Sequence, residues 1–324
     1  MTSNTNHALV TGATSGLGLE AAAQLAEAGW AKVTVTGRTE AKAKAASATL
    51  AQRTGKDVFS PLALDLNKPA SVKAAAAELA ANGDTIDFLL LNAGLVSGSE
   101  LRQTDSGIDM TFSSSLIGHH QLTMQILEDG LLAERAKIVI AGSEAARGDM
   151  PTFKVTDLSD ASKRYGGDLV ATAVSVIRGE EPKKFKAAVS YANAKMFVAW
   201  WSQQLAKKLP DGVTVNTISP GSAPDTDAGR NANAFMKYVM LPMFKYSPKF
   251  LGMKHSTATG ASRYLQALEF GDDVNGEFFA SRPKKVTGSL ERMEHVHFHD
   301  LEAQQAGWKA IVKVSNGIDY PVNA

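Results

Sequence analysis

Tyr191 and Lys195 are the residues of this chain best suited to moving a proton. They stand four apart in a stretch with helical patterning, so their side chains share one face. A free phenol titrates near ~10, too high for an efficient base at neutral pH. An ammonium beside it favours the phenolate and is expected to lower that value. Tyr191 can then give a proton to an oxygen atom or take one from it. The spacing alone is weak evidence, because a tyrosine on a helix serves equally well as packing.

A second cluster lies near the start. Thr11-Gly12-Ala13-Thr14-Ser15-Gly16-Leu17-Gly18 follows a short apolar run and leads straight into a helical pattern. Gly12 permits a tight turn, Gly16 lets the backbone approach a pyrophosphate, and Gly18 lets the helix pack closely on the strand. The helix N-terminus offers N–H groups and a positive dipole end, so Thr14, Ser15 and Leu17 are expected around the phosphates. The next apolar run ends Val35-Thr36-Gly37-Arg38-Thr39, with no acid between Lys32 and Thr39. An acid there would bind a ribose hydroxyl, whereas Arg38 makes a forked contact to a 2′-phosphate, with Thr39 beside it. The expected cofactor is NADP(H). Asp65, followed by Leu66, ends the third run and can accept from an adenine amino group.

These residues need a frame. Runs at 8–11, 32–37, 58–64, 88–92, 137–141 and 213–219 read as buried strands. Helical stretches at 17–28, 40–53, 70–81 and 107–128 lie between them, rich in alanine. The alternation predicts an α/β, doubly wound parallel sheet (a Rossmann fold) with helices on both faces. Two stretches exceed the minimum: 144–188, with a helix expected at 168–178, and 224–252. The expectation is a single dinucleotide-binding domain over 1–324, with an insertion at 144–188, a substrate lid at 224–252 and a C-terminal tail at 281–324.

On these residues the chain resembles the short-chain dehydrogenase/reductase family. Thr11 to Gly18 is similar to its TGxxxGxG motif, and Asn92-Ala93-Gly94 to its NAG motif after the fourth strand. Ser143 stands where the family has its active-site serine, Tyr191 and Lys195 match YxxxK, and Pro220-Gly221 matches the PG after the sixth strand. Val274 to Phe279 looks like its final strand. The resemblance spans about residues 7–280 and is strongest toward retinol-dehydrogenase-like and carbonyl-reductase-like members. It implies that Ser143 hydrogen-bonds the reacting oxygen, that Lys195 holds the nicotinamide ribose, and that Asn92, Ala93, Gly94, Pro220, Gly221 and Ser222 line the cofactor site. The implied activity interconverts a lipophilic ketone or aldehyde and its alcohol.

Two departures matter. The family's catalytic Asn, three residues before Gly118, is replaced by Ser115, which offers fewer hydrogen-bonding groups for a relay water. This opens a non-catalytic NADP(H)-binding sensor or scaffold as an alternative, beside a C=C reductase on the same fold. The threonine expected four residues past Gly221 is Asp225, and Thr226 follows it, so the carboxamide contact is assigned to Thr226. Residues 234–251 are rich in Met and aromatics, and Phe235, Met236, Met240 and Met243 are expected to line an apolar pocket. The separation of 48 positions from Ser143 to Tyr191 resembles the insertion of carbonyl-reductase-like members, which implies a monomer, with a dimer left open.

Composition sets the outer limits. The chain has 324 residues, 44% hydrophobic and 21% charged, with net charge +1. Nothing in that balance points to a nucleic-acid partner. With no cysteine, disulfides and cysteine chemistry are excluded. His295, His297 and His299 would share one face of a strand, but no metal site is expected. His119 and His120 are assigned to their helix and not to catalysis. No apolar run approaches a membrane span, and the polar opening leaves no room for a secretory signal. A cytoplasmic protein is expected, with membrane contact through 234–251 the lesser alternative.

Overall fold

Each central strand buries both of its faces. In β1 (His7–Val10), Ala8 and Val10 enter one core cluster and Leu9 the other. β4 (Ile86–Leu91) and β5 (Leu132–Ala141) divide in the same way, Phe88, Leu90, Val139 and Ala141 against Leu89, Leu91, Ile138 and Ile140. Period-two alternation with apolar residues at both phases reads as a continuous apolar run and requires helices on both faces. The computed structural model describes residues 6–83, 85–222 and 255–320.

The remaining strands are β2 (Lys32–Gly37), β3 (Phe59–Ala63), β6 (Thr214–Ile218), β7 (Phe278–Ala280) and β8 (Glu291–Arg292). Their order is β3-β2-β1-β4-β5-β6-β7-β8, parallel throughout except that β8 runs antiparallel to β7. This is the doubly wound sheet expected from the sequence. Strand order reverses between β1 and β4, which opens a crevice at the carboxyl ends of the strands. Helices α1 (Gly16–Glu27) and α2 (Glu40–Thr54) and the Thr257–Leu265 helix cover one face. Helix α3 (Pro69–Asn82) and the Gly118–Glu128, Ala187–Leu205 and Leu301–Val314 helices cover the other.

Three differences from the sequence reading have physical causes. The helix expected from 107 starts at Met110, because the Asp109 carboxylate caps it by accepting from Thr111 N–H at 2.9 Å. It then passes through a π-helical stretch, Ser113–Ile117, before continuing as Gly118–Glu128. The final strand, expected from 274, begins at Phe278. Before it, Asn275 accepts from Val215 N–H through its side chain at 2.9 Å, imitating a strand partner without being one.

Residues 281–320 add β8 and the Leu301–Val314 helix, which buries Trp308 and Ile311 in the larger core. Trp201 donates to His120 Nδ1 at 3.1 Å, which leaves Nε2 protonated to donate to the Ile318 carbonyl at 2.9 Å. Burial pushes the His120 pKa down to about 4, so this clip is made by a neutral imidazole.

Candidate active site

The carboxyl ends of the strands bring most of the sequence-predicted residues to one edge. The loop after β1 turns through Gly12 and Gly16, with φ of +66° and +58°. A Cβ on Gly12 would lie 2.9 Å from the Ala93 Cα, and one on Gly18 would overlap the Asn92 amide and the Gly12 carbonyl. Ser15 caps α1 in extended backbone without a side-chain hydrogen bond, so the first amides of the helix lack that partner. Arg38 is exposed just beyond β2, and Thr39 caps α2 by accepting from Lys42 N–H at 3.4 Å. Asp65 accepts from Asn67 N–H at 3.1 Å. Leu66 is buried, with its carbonyl packed directly on Gly118.

Asn92, expected to line the cofactor site, faces the loop. Its amide donates to the Thr11 carbonyl at 2.9 Å. Ala93 N–H donates to the Thr11 hydroxyl at 3.0 Å. His119 completes this knot, a role that its helix assignment missed. Its Nδ1 lies 3.2 Å from the Ser115 carbonyl, which can only accept, so Nδ1 carries the proton and Nε2 accepts from Thr11 at 2.9 Å. Burial drives the His119 pKa down to about 3, keeping the ring neutral. No motif signals this contact, because a neutral buried imidazole reads like any polar residue on an apolar helix.

Tyr191, Ser143 and Lys195 come together. The Ala187–Leu205 helix carries Tyr191 and Lys195, and the Lys195 ammonium lies 5.9 Å from the centre of the Tyr191 ring. Lys195 donates to the Ala141 carbonyl at the end of β5, at 2.7 Å. With no acid paired to it, burial lowers its pKa to about 8. Ser143 follows β5, where its hydroxyl accepts from Ala145 N–H at 3.2 Å, and it stands near enough to the Tyr191 phenol to pull its pKa down. The expected direction for Tyr191 is corrected. Burial is the largest influence and raises its pKa, Ser143 opposes, and the Glu144 charge raises it further. In the protein without ligand, desolvation therefore outweighs the effect expected of the lysine, and Tyr191 is held as a phenol.

Ser115 joins this group through Gly94. A Cβ on Gly94 would lie 3.1 Å from the Ser115 hydroxyl and 3.9 Å from the Lys195 ammonium. The Ser115 hydroxyl is buried and has no hydrogen-bond partner. On the far side, Gly221 adopts φ of +74°, and Ser222 N–H donates to the Val286 carbonyl at 2.8 Å. Thr226, Phe235, Met236, Met240 and Met243 lie outside the described residues. The three C-terminal histidines do not share a strand. His295 caps the Val296–Phe298 turn, and the His295 and His297 rings lie 4.4 Å apart. Among the described residues no helix is long and apolar enough to cross a membrane.

The arrangement matches known proteins. A family model described as short chain dehydrogenase matches residues 6–163. Over that span the chain is similar to the short-chain dehydrogenase/reductase family, and it covers only 50–62% of the first curated relatives it matches. It is 30% identical over 253 residues to Chlamydomonas reinhardtii protochlorophyllide reductase, a match covering 75% of this chain but 62% of that one. It is 26% identical over 293 residues to human retinol dehydrogenase 13, covering 89% and 80%. A solved short chain dehydrogenase from Burkholderia cenocepacia, in complex with NADP, aligns with a TM-score of 0.58 at 25% identity, covering 84% of this chain and 94% of that one.

Proposed function

We propose that this chain is an NADP(H)-dependent reductase of lipophilic ketones or aldehydes, run in reverse as an alcohol dehydrogenase, with Tyr191 as general acid and base. The observation that carries the reading is the Lys195 ammonium 5.9 Å from the centre of the Tyr191 ring on a shared helix, with Ser143 beside the phenol. The residues present fit a dinucleotide. The glycine turns leave room for backbone contact with a pyrophosphate, the α1 amides face it, and Arg38 stands exposed where a 2′-phosphate belongs. The NADP of the Burkholderia relative supports the same cofactor.

The bound nicotinamide would supply or accept the hydride. Tyr191 gives its phenolic proton to the carbonyl oxygen as charge develops there. Ser143 donates a hydrogen bond to the same oxygen and stabilises that charge. Lys195 stabilises the resulting phenolate, and its ammonium would hold the ribose hydroxyls of a bound dinucleotide. The buried, unpartnered Ser115 hydroxyl is suited to hold a water beside Lys195, through which Tyr191 is reprotonated. The composition of 234–251 supports an apolar substrate. The same reading has a cytoplasmic monomer that needs no nucleic acid or membrane.

NADPH oxidation measured against decanal, acetophenone and retinaldehyde tests the activity. Tyr191→Phe is expected to reduce kcat by about a thousandfold or more while NADPH affinity stays within about threefold. An active phenylalanine variant would end the mechanism. A cofactor-binding protein without turnover is the second reading, favoured by the serine at 115, and it predicts NADPH binding with no oxidation by any compound of the panel.

A further inference from the structure

Glu144 follows Ser143 directly and is 4% exposed. One carboxylate oxygen accepts from the Ser219 hydroxyl at 2.6 Å, and Ser219 immediately precedes Pro220-Gly221. The other accepts from Ser281 N–H at 3.2 Å and from the Ser281 hydroxyl at 3.0 Å, just past β7. Arg263, itself 2% exposed, stands 3.6 Å from that oxygen and donates to Ser281 at 3.0 Å. Arg147, in the same turn as Glu144, donates to the Ser281, Arg282 and Lys285 carbonyls. The segment gripped in this way carries Val286, whose carbonyl accepts from Ser222 N–H. One buried carboxylate thus joins the ends of β5, β6 and β7, and on either side of it lie the proton-transfer residues and the loop that the proposed function assigns to the cofactor.

We propose that Glu144 is a positioning residue, which fixes the Pro220-Gly221 loop in register with Ser143 and Tyr191. The inference rests on the reading of Tyr191 as the acid. A carboxylate with three donors and a neighbouring guanidinium is over-determined in its place, so the two halves of the site cannot slide past each other without breaking a charged hydrogen bond. An error of about 1 Å between a proton donor and a hydride donor is worth roughly a hundredfold in rate.

The charge has a second effect. Ser143 and Glu144 from the turn after β5, Lys195 from its own helix, and Tyr264 from the Thr257–Leu265 helix face Tyr191, and Arg263 pairs with Glu144. Glu144 is the anion among them, and it disfavours the phenolate. Its presence keeps Tyr191 protonated to higher pH, the form from which carbonyl reduction starts.

Glu144→Gln keeps the shape and removes the charge. Tyrosinate absorbance followed against pH, as the difference between chains with and without Tyr191, reads the phenol directly and needs no turnover. In the Glu144→Gln background this titration is expected to move down by about one pH unit. With the fastest carbonyl compound of the panel, kcat is expected to fall about tenfold or more while NADPH affinity stays within about threefold. The alkaline limb of the reduction profile moves down with the titration. An unmoved titration with wild-type kcat overturns the role of Glu144, even where Tyr191→Phe is inactive. An active Tyr191→Phe chain overturns the proposed function instead. Should Glu144→Gln not fold, Ser219→Ala takes its place. That variant keeps the charge and breaks the bridge, so kcat should fall with the titration unmoved, and wild-type kcat there also overturns the proposal.

Discussion

The two halves of the site are made of different material. The half around Gly12, Gly18 and Asn92 is backbone, with close approaches that only glycine allows and amides left pointing outward. The half around Ser143, Glu144, Lys195 and Arg263 is side chain, with charges buried to a few per cent exposure. A phosphate needs many weak donors in a fixed curve, which backbone supplies without titrating. Proton transfer needs groups that can change charge, and these must be desolvated and then restrained. The first half should therefore fail sterically when altered, and the second should fail in its pH dependence.

The largest expected effect is steric. Gly18→Val drives a side chain into Asn92 and Gly12, and NADPH binding measured by its fluorescence should disappear, a loss of about a hundredfold or more. A valine variant that binds normally breaks the contrast.

Lys195→Met tests the second half. Turnover should fall by about a hundredfold or more, yet the chain without ligand should become more stable, by about 1–3 kcal/mol at pH 7, because an unpaired buried ammonium is removed. The sign follows from linkage. The Lys195 pKa is about 8 when folded against an ordinary 10.5, so the folded state binds fewer protons between those values and wild-type stability rises with pH across them. Thermal melts at stepped pH should show the advantage of the methionine variant shrinking above pH 8. A constant gap would mean that packing, and not charge, decides it.

Arg38→Ser is the mildest. NADPH affinity should drop about tenfold to thirtyfold with NADH affinity unchanged, read by paired titrations. Equal losses for both cofactors would place Arg38 away from the 2′-phosphate.

The sequence displayed the backbone half almost completely. Gly12, Gly16 and Gly18 are visible as letters because no other residue serves at those turns, and the apolar runs located the strands of the parallel core. Tyr191, Lys195 and Ser143 were visible only as a pattern, and the direction of the Tyr191 shift was not, because burial depends on what the fold stacks around the ring. Glu144 and Arg263 were invisible as partners, being 119 positions apart and joined only where β5, β6 and β7 end side by side. The hydrogen bond from Asn92 to the Thr11 carbonyl was not legible, because its motif says nothing of which way the amide turns. The β8 strand and the Leu301–Val314 helix escaped because they follow the last motif of the family pattern.

Ser113–Ile117 is a stretch of wider helix, holding one more residue per turn than its neighbours allow. Seen as gearing, the run of three serines is an inserted tooth. Removing one of them would take up the bulge as ordinary α-helix and leave the residues on either side in phase, with His119 still on Thr11 and His120 still on Ile318. The same loss from a regular α-helical turn would rotate every later residue by about 100°. A single codon deleted in the serine run is thus expected to spare the glycine loop and the C-terminal clip, and thermal melts of the deleted chain would show it.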